Sequence, residues 1–255
     1  MRNASETNNF RRMLALPALA VLIILCASAA AGPGGEFWEK KEYKQWSQKE
    51  CAKLLEDSPW SRLYPLTMVG ILDSTERELG SASASQPYVN YHVQFRSALP
   101  IRQAIVRQNQ IASKYDSLLP EQQQEFDKNA EAFLSGFPSD IVVVNLTYST
   151  NNRIWDQEAA RYWQSQTVDM LKNSTYLSGS KGDKVPIAKY VAAQGAQRSS
   201  QFIFPREVNG KPILDSKDKS LTLEFSYPVF RGVGDGRISM EFKVQKMIFE
   251  GNIAY

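Results

Sequence analysis

Apolar positions recur along this chain at two periods, and the switches between them mark its elements. From Tyr88 to Arg96 the residues alternate, with Val89, Tyr91, Val93 and Phe95 on one side and Asn90, His92, Gln94 and Arg96 on the other. That is the period of a half-buried strand. Helical spacing follows. Pro100 stands in a first turn, where its missing N–H costs little, and Ile101, Ile105, Ile111, Ala112 and Tyr115 share a face. Pro120 opens a second helix striped by Phe126, Ala130, Phe133, Leu134 and Phe137 and ended by Gly136 and Pro138. The short link between the two predicts an antiparallel helical hairpin. Ile141 to Val144 is a continuous β-branched run, the pattern of a central strand buried on both faces. A third long helix spans about Ile154 to Leu171, with Trp155, Ala159, Trp163 and Leu171 in its stripe.

Beyond Tyr176 the period is that of strands: Val185–Ala192, Ser200–Val208, Leu221–Tyr227 and Ile238–Phe249. Asn209-Gly210 is a two-residue hairpin signal. In the last segment Ile238, Met240, Phe242 and Val244 share one parity and Met247 and Phe249 the other, so a β-bulge near Gln245–Lys246 is expected to bring them to a common face. Upstream, Leu66–Leu72 reads as a strand and Ser81–Gln86 as a loop. The class is therefore α+β: a short N-terminal helix, three longer helices in the middle, and a largely antiparallel C-terminal sheet.

The short helix is written in local chemistry. Ser47 and Glu50 form a capping box, with Trp46 just before the cap and Cys51 at the fourth helical position, the two places of a hydrophobic staple. Ser58-Pro59 stops the helix. Ahead of it, Arg2, Arg11 and Arg12 precede the uncharged run Met13–Leu25 and then small residues with A-x-A patterns, the order of a signal peptide. The expected organisation is a signal peptide over 1–31, a flexible Gly-, Pro- and charge-rich lead-in over 32–45, and one α+β domain over 46–255. A membrane is expected as a partner only if the signal stays uncleaved or Cys26 is lipidated; Leu25 before Cys26 fits a lipoprotein signal poorly.

Charge narrows the function classes. The chain holds 30 Lys+Arg against 27 Asp+Glu, and the leader carries off three arginines and Glu6, which leaves the remainder nearly neutral. Nothing in that balance calls for a nucleic acid. Two cysteines, Cys26 and Cys51, and one histidine, His92, exclude cysteine and two-histidine zinc sites and weaken any serine–histidine–acid triad. With Cys26 gone, Cys51 has no disulfide partner within the chain. Gly232–Gly236 has no helix behind it to cradle a phosphate. No metal or cofactor is expected, and no residue is assigned a catalytic role.

Two clusters are candidate ligand sites. His92 and Arg96 lie on the polar side of one strand close in sequence to Arg102, and Arg153 with Trp155 puts a cation beside an aromatic. Such mixtures line ligand grooves. Trp46 and Trp60, which flank the short helix, are candidates for binding a protein partner. An unknown protein or a small molecule is thus the expected partner.

WSQKECAKLLEDSPW, with SALPIRQA at Ser97–Ala104, resembles a family of exported bacterial proteins of unknown function. The residues that carry the likeness are Trp46, Glu50, Leu54, Leu55, Asp57, Ser58, Pro59 and Trp60, then Pro100, Ile101 and Arg102. The resemblance implies export and a similar start to the mature chain, names no active site, and does not include Cys51. The expected function is a noncatalytic periplasmic or surface module. A carboxylate-dependent hydrolase, a lipid-anchored envelope protein and a thiol activity of Cys51 with His92 as base are the alternatives.

Overall fold

The alternating segments pair as antiparallel strands, and each resulting sheet has one apolar face that only the other can cover. The computed structural model describes residues 35–67, 87–194, 198–215, 217–230 and 236–255. The leader, most of the Leu66–Leu72 segment, the Ser81–Gln86 loop and most of Gly232–Gly236 lie outside them. Helices are α1 (Phe37–Lys40), α2 (Gln48–Glu56), α3 (Leu99–Ala112), α4 (Pro120–Ser135), α5 (Arg153–Ser165) and α6 (Val168–Leu171). The longer strands are β1 (Ser61–Thr67), β2 (Tyr88–Phe95), β3 (Ile141–Thr150), β4 (Tyr176–Gly179), β7 (Ser199–Pro205), β10 (Ser220–Ser226) and β11 (Arg237–Lys243). Short pieces β5 (Val185–Pro186), β6 (Lys189–Val191), β8 (Glu207–Val208), β9 (Lys211–Pro212), β12 (Ile248–Phe249) and β13 (Asn252–Ile253) complete the set. The chain is α+β.

One sheet runs β1-β2-β3-β7-β6 and the other β11-β10-β4-β5, all neighbours antiparallel. The β-branched run lies at the centre of the first, with Val142 and Val144 fully buried. The sheets meet through rings: Tyr91 with Phe225 at 5.9 Å, Phe202 with Phe225 at 5.7 Å and Phe95 with Phe242 at 4.9 Å. Antiparallel pairing is thus not confined to the C-terminal third, since β1, β2 and β3 are three of the five strands of the first sheet.

Helix α5 starts at the Asn152 cap, whose side chain accepts from the amides of Ile154 and Trp155. It closes one side of the sandwich, with Trp163 set 6.1 Å from Tyr91 and 5.9 Å from Phe202. The expected single helix to Leu171 breaks after Ser165, and Thr167 caps the separate α6. The hairpin of α3 and α4 forms: Arg102 at the start of α3 reaches carbonyls at the end of α4, and the Tyr115 hydroxyl beyond α3 donates to Asp127 in the middle of α4. No residue of α4 is buried, so its Phe126–Phe133 stripe is only half covered.

Three local expectations change. The lead-in is not flexible from Gly35 onward: α1 and a 3-10 turn at Tyr43–Gln45 pack down, and Trp38 is buried 5.6 Å from Trp60. The signal was illegible because Trp60 and Phe249, which form that bed, are distant in sequence. The β-bulge is replaced by a 3-10 turn at Val244–Lys246, which still turns Met247 and Phe249 inward. Trp46 and Trp60 do not face a partner; both are fully buried. Trp46 Nε1 donates to Lys41 O at 3.1 Å, and Trp60 Nε1 to Ala254 O at 2.7 Å. The indoles are core anchors whose polar ends are satisfied internally.

The capping box does form, with Glu50 Oε2 accepting from Ser47 N at 2.8 Å and Cys51 fully buried behind it. Asn209-Gly210 likewise turns β8 into β9, both residues at positive φ.

Trp46→Ala is expected to destabilise the protein by about 3–5 kcal/mol, the range for removing a core indole, measured by urea unfolding. A partner-facing indole would lose no more than about 0.5 kcal/mol.

Candidate functional site

The sites expected from the sequence separate in space. Arg153 is exposed, while Trp155 turns inward against Phe230 at 5.3 Å. They form no common groove. His92 is not solvated; it is half-buried on the outer face of the first sheet, its Nε2 2.7 Å from Ser61 Oγ. That hydroxyl also lies 2.6 Å from Leu55 O, to which it donates. Gln94 Nε2 donates to the same carbonyl at 2.9 Å. The trio ties the end of α2 to the sheet. Ser61 is fully buried, so no substrate reaches it, and this serine–histidine pair is a structural latch. Arg96 donates to Gln94 Oε1 at 3.2 Å; burial holds its pKa below the ordinary arginine value.

Cys51 is equally far from chemistry. Burial pushes its thiol up to about 11, with Arg107 opposing and Glu50 adding to the rise. A protonated, inaccessible thiol is no nucleophile, which removes the thiol alternative. Carboxylates with shifted values point away from acid catalysis as well. For Glu50, burial raises the value, but hydrogen bonds from Lys41 and Ser47 outweigh it and hold it low. Asp218 is held low in the same way, against burial, by the amides of Asp215 and Lys181 and by Ser180. A general acid needs the opposite shift. Among the described residues no group of three or more His, Cys, Asp or Glu is placed to hold a metal, and no helix is long and apolar enough to cross a membrane.

Of the sequence candidates, Arg102 lines a cleft. The cleft has a volume of about 390 Å³ and lies between the α3–α4 pair and the β12–β13 hairpin. Its walls include Ser97, Leu99, Phe137, Ser139, Phe249, Asn252 and Tyr255, and a second arginine, Arg206. Two turns bring these parts together. Ala98 ends β2's connection and starts α3, so Arg102 emerges in the helix's opening turns. Arg206 follows β7, its amide donating to Asp140 O at 2.7 Å.

Each guanidinium is held firmly at one end. Arg102 Nη1 donates to the carbonyls of Leu134 and Phe133 at the last turn of α4, where a cation meets the negative end of the helix dipole. Its plane lies 4.9 Å from the Phe137 ring. Arg206 Nη2 donates to the main-chain oxygen of Tyr255 at 2.6 Å and more weakly to Ile141 O at 3.5 Å, with the guanidinium 4.2 Å over the Tyr255 ring.

The other end of each is unspent. The Nε–H of Arg102 and that of Arg206 are both buried without an acceptor. No Asp or Glu side chain of the described residues lies within ion-pair distance of either guanidinium. The two cations sense each other: burial, and secondarily the charge of Arg206, lowers the pKa of Arg102. A buried donor left unpaired costs about 1–3 kcal/mol, and a guanidinium offers five donors in a fork suited to carboxylate or phosphate. Chemically, two guanidiniums on one cleft wall can hold an anion. Sequence reading missed Arg206 because its partners Ile141 and Tyr255 are 65 and 49 positions away; its one local signal was a cation at the end of an apolar strand.

Comparison with models of protein families, with curated protein sequences and with solved structures finds no match to this chain.

Because burial depresses the pKa of His92, against smaller raising effects of the Glu56 and Leu55 backbone and the Glu56 charge, unfolded chains take up a proton before folded ones. Stability is then full above the ordinary histidine pKa of about 6.5 and falls as the pH drops through it toward the lower folded value. Urea midpoints between about pH 7.5 and 5.5 should therefore fall in the wild type and stay level in His92→Gln, since this is the one histidine of the chain.

Proposed function

We propose that this protein is a noncatalytic exported binding module that holds a small anionic ligand in the cleft of Arg102 and Arg206. The observation that carries this reading is the pair of guanidiniums on one cleft, each with an Nε–H that no protein group accepts. An oxyanion bridging the two offsets their mutual repulsion and takes donors the fold leaves unused. The cleft's volume suits a small molecule better than a polymer. Export is supported by the basic, apolar and small-residue order of residues 1–31 and by the family resemblance of the opening helix.

The test is titration of the protein with sodium phosphate and sodium acetate at constant ionic strength, read by NMR of the arginine Nε–H signals. Both anions are expected to move the Arg102 and Arg206 signals and no others of comparable size. Arg102→Gln should weaken binding about tenfold or more, from losing a charged hydrogen bond worth about 1.5–3 kcal/mol, while Arg102→Lys retains part of it. Saturation with unchanged Arg102 and Arg206 signals would leave the two residues as clamps on α4 and Tyr255 and overturn the proposal.

A further inference from the structure

One wall of the anion cleft comes from a helix that the fold holds loosely, and this inference rests on the anion-binding reading above. Helix α4 is 16 residues long and buries none of them. It packs chiefly on α3, and its Phe133 stays exposed. A helix with so little buried apolar surface lies at the low end of local stability. Its fastenings are polar and aromatic, and they fall at two places. In its first half, the Tyr115 hydroxyl donates to Asp127 Oδ2 at 2.7 Å and Gln123 Nε2 donates to Tyr115 O at 3.0 Å. The Tyr115 and Phe126 rings meet edge-on there at 5.5 Å. At its end the fastener is Arg102, whose Nη1 donates to the carbonyls of Phe133 and Leu134 and whose guanidinium lies over the Phe137 ring.

That second fastener belongs to the cleft. Arg102 turns Nη1 to α4 and keeps an Nε–H that no protein group accepts. Phe137, Pro138 and Ser139, which follow α4 in the chain, line the cleft. When the end of α4 lifts from α3, the cleft loses that wall, and Arg102 loses the carbonyls that hold its guanidinium in place. The reverse also holds, because an anion on the Nε–H keeps the guanidinium where α4 meets it. We infer that α4 is the gate of this cleft: the anion site is complete only with α4 docked, and a bound anion fastens α4 down. By linkage each event strengthens the other by the same factor. Phe126 lies about 12 Å along the helix from Leu134, at ~1.5 Å per residue, so docking is open to weakening there without contact to the cleft.

The experiment is amide hydrogen exchange of the full chain with and without sodium phosphate at constant ionic strength, beside the arginine Nε–H titration that reports binding itself. In the wild type, phosphate at about ten times its Kd is expected to slow exchange in α4 up to about tenfold, the factor for a ligand that binds only the docked state, and to leave α5 unchanged. Phe126→Ala, which removes the ring against Tyr115, should speed exchange in α4, and phosphate should slow it again. Asn129→Pro breaks α4 at an exposed position and should weaken phosphate binding about tenfold or more, since only the docked fraction binds; unchanged exchange in α5 shows that the sandwich stays folded. Phosphate that moves the arginine signals while α4 exchange stays constant, or slows in step with α5, overturns the gate and leaves the anion cleft standing. Phosphate affinity unaltered in Asn129→Pro, or α4 exchange unaltered in Phe126→Ala, overturns it as well. With no phosphate binding at all, both readings fail.

Discussion

Everything else in this molecule depends on two antiparallel sheets having one apolar face each. Tyr91, Phe95 and Phe202 on one sheet meet Phe225 and Phe242 on the other, and neither face has another partner large enough to cover it. Burial of that aromatic layer fixes the register of β2, β3, β7, β10 and β11, because a slip of one residue would turn every ring into water. The helices are fitted around this constraint. Helix α5 plugs one side with Trp163, and α2 and α3 cover the opposite region through Trp46 and Trp60. The cleft exists because α3 must leave the sandwich at Ala98 while the β12–β13 hairpin returns to Trp60.

What the sequence makes legible is what neighbours decide. The capping box of α2 is a reciprocal pair of hydrogen bonds three residues apart, so its residues identify it without the fold. The Ile141–Val144 run identifies a central strand because β-branched continuity has few other homes. The same holds for Asn209-Gly210, where turn geometry demands the residue types. By contrast, Trp38 sits among charges and glycines, and only Trp60 turns that stretch into structure. His92 looked solvated by strand parity, but parity gives a face and not what covers it; the end of α2 does. The flanking tryptophans were legible as important and misread as to side, since an indole suits a core and an interface equally.

The site was half visible. Arg102 falls where a proline-led helix begins. The companions expected for it lie elsewhere: His92 meets Ser61 at the end of α2, Arg96 meets Gln94, and Arg206 arrives from the far end of β7. Charge clusters of this kind are assembled by topology, and linear spacing carries no trace of them. The same limit explains the serine–histidine pair: two residue types that suggest hydrolysis stand 2.7 Å apart, and only burial reveals their structural role.

Trp60 donates its indole N–H to Ala254, across 194 positions of chain. The ribosome therefore delivers one half of this contact long before the other. Until the residues around 250 appear, Trp60 and Trp38 lack Phe249 and the hairpin that seals them, and the aromatic layer lacks β10 and β11. Loop-closing contacts of such separation form slowly, because their entropic cost precedes their reward. The β1–β2–β3 pairing and the α3–α4 hairpin can form early, whereas the seal over Trp60 waits for residues near 250.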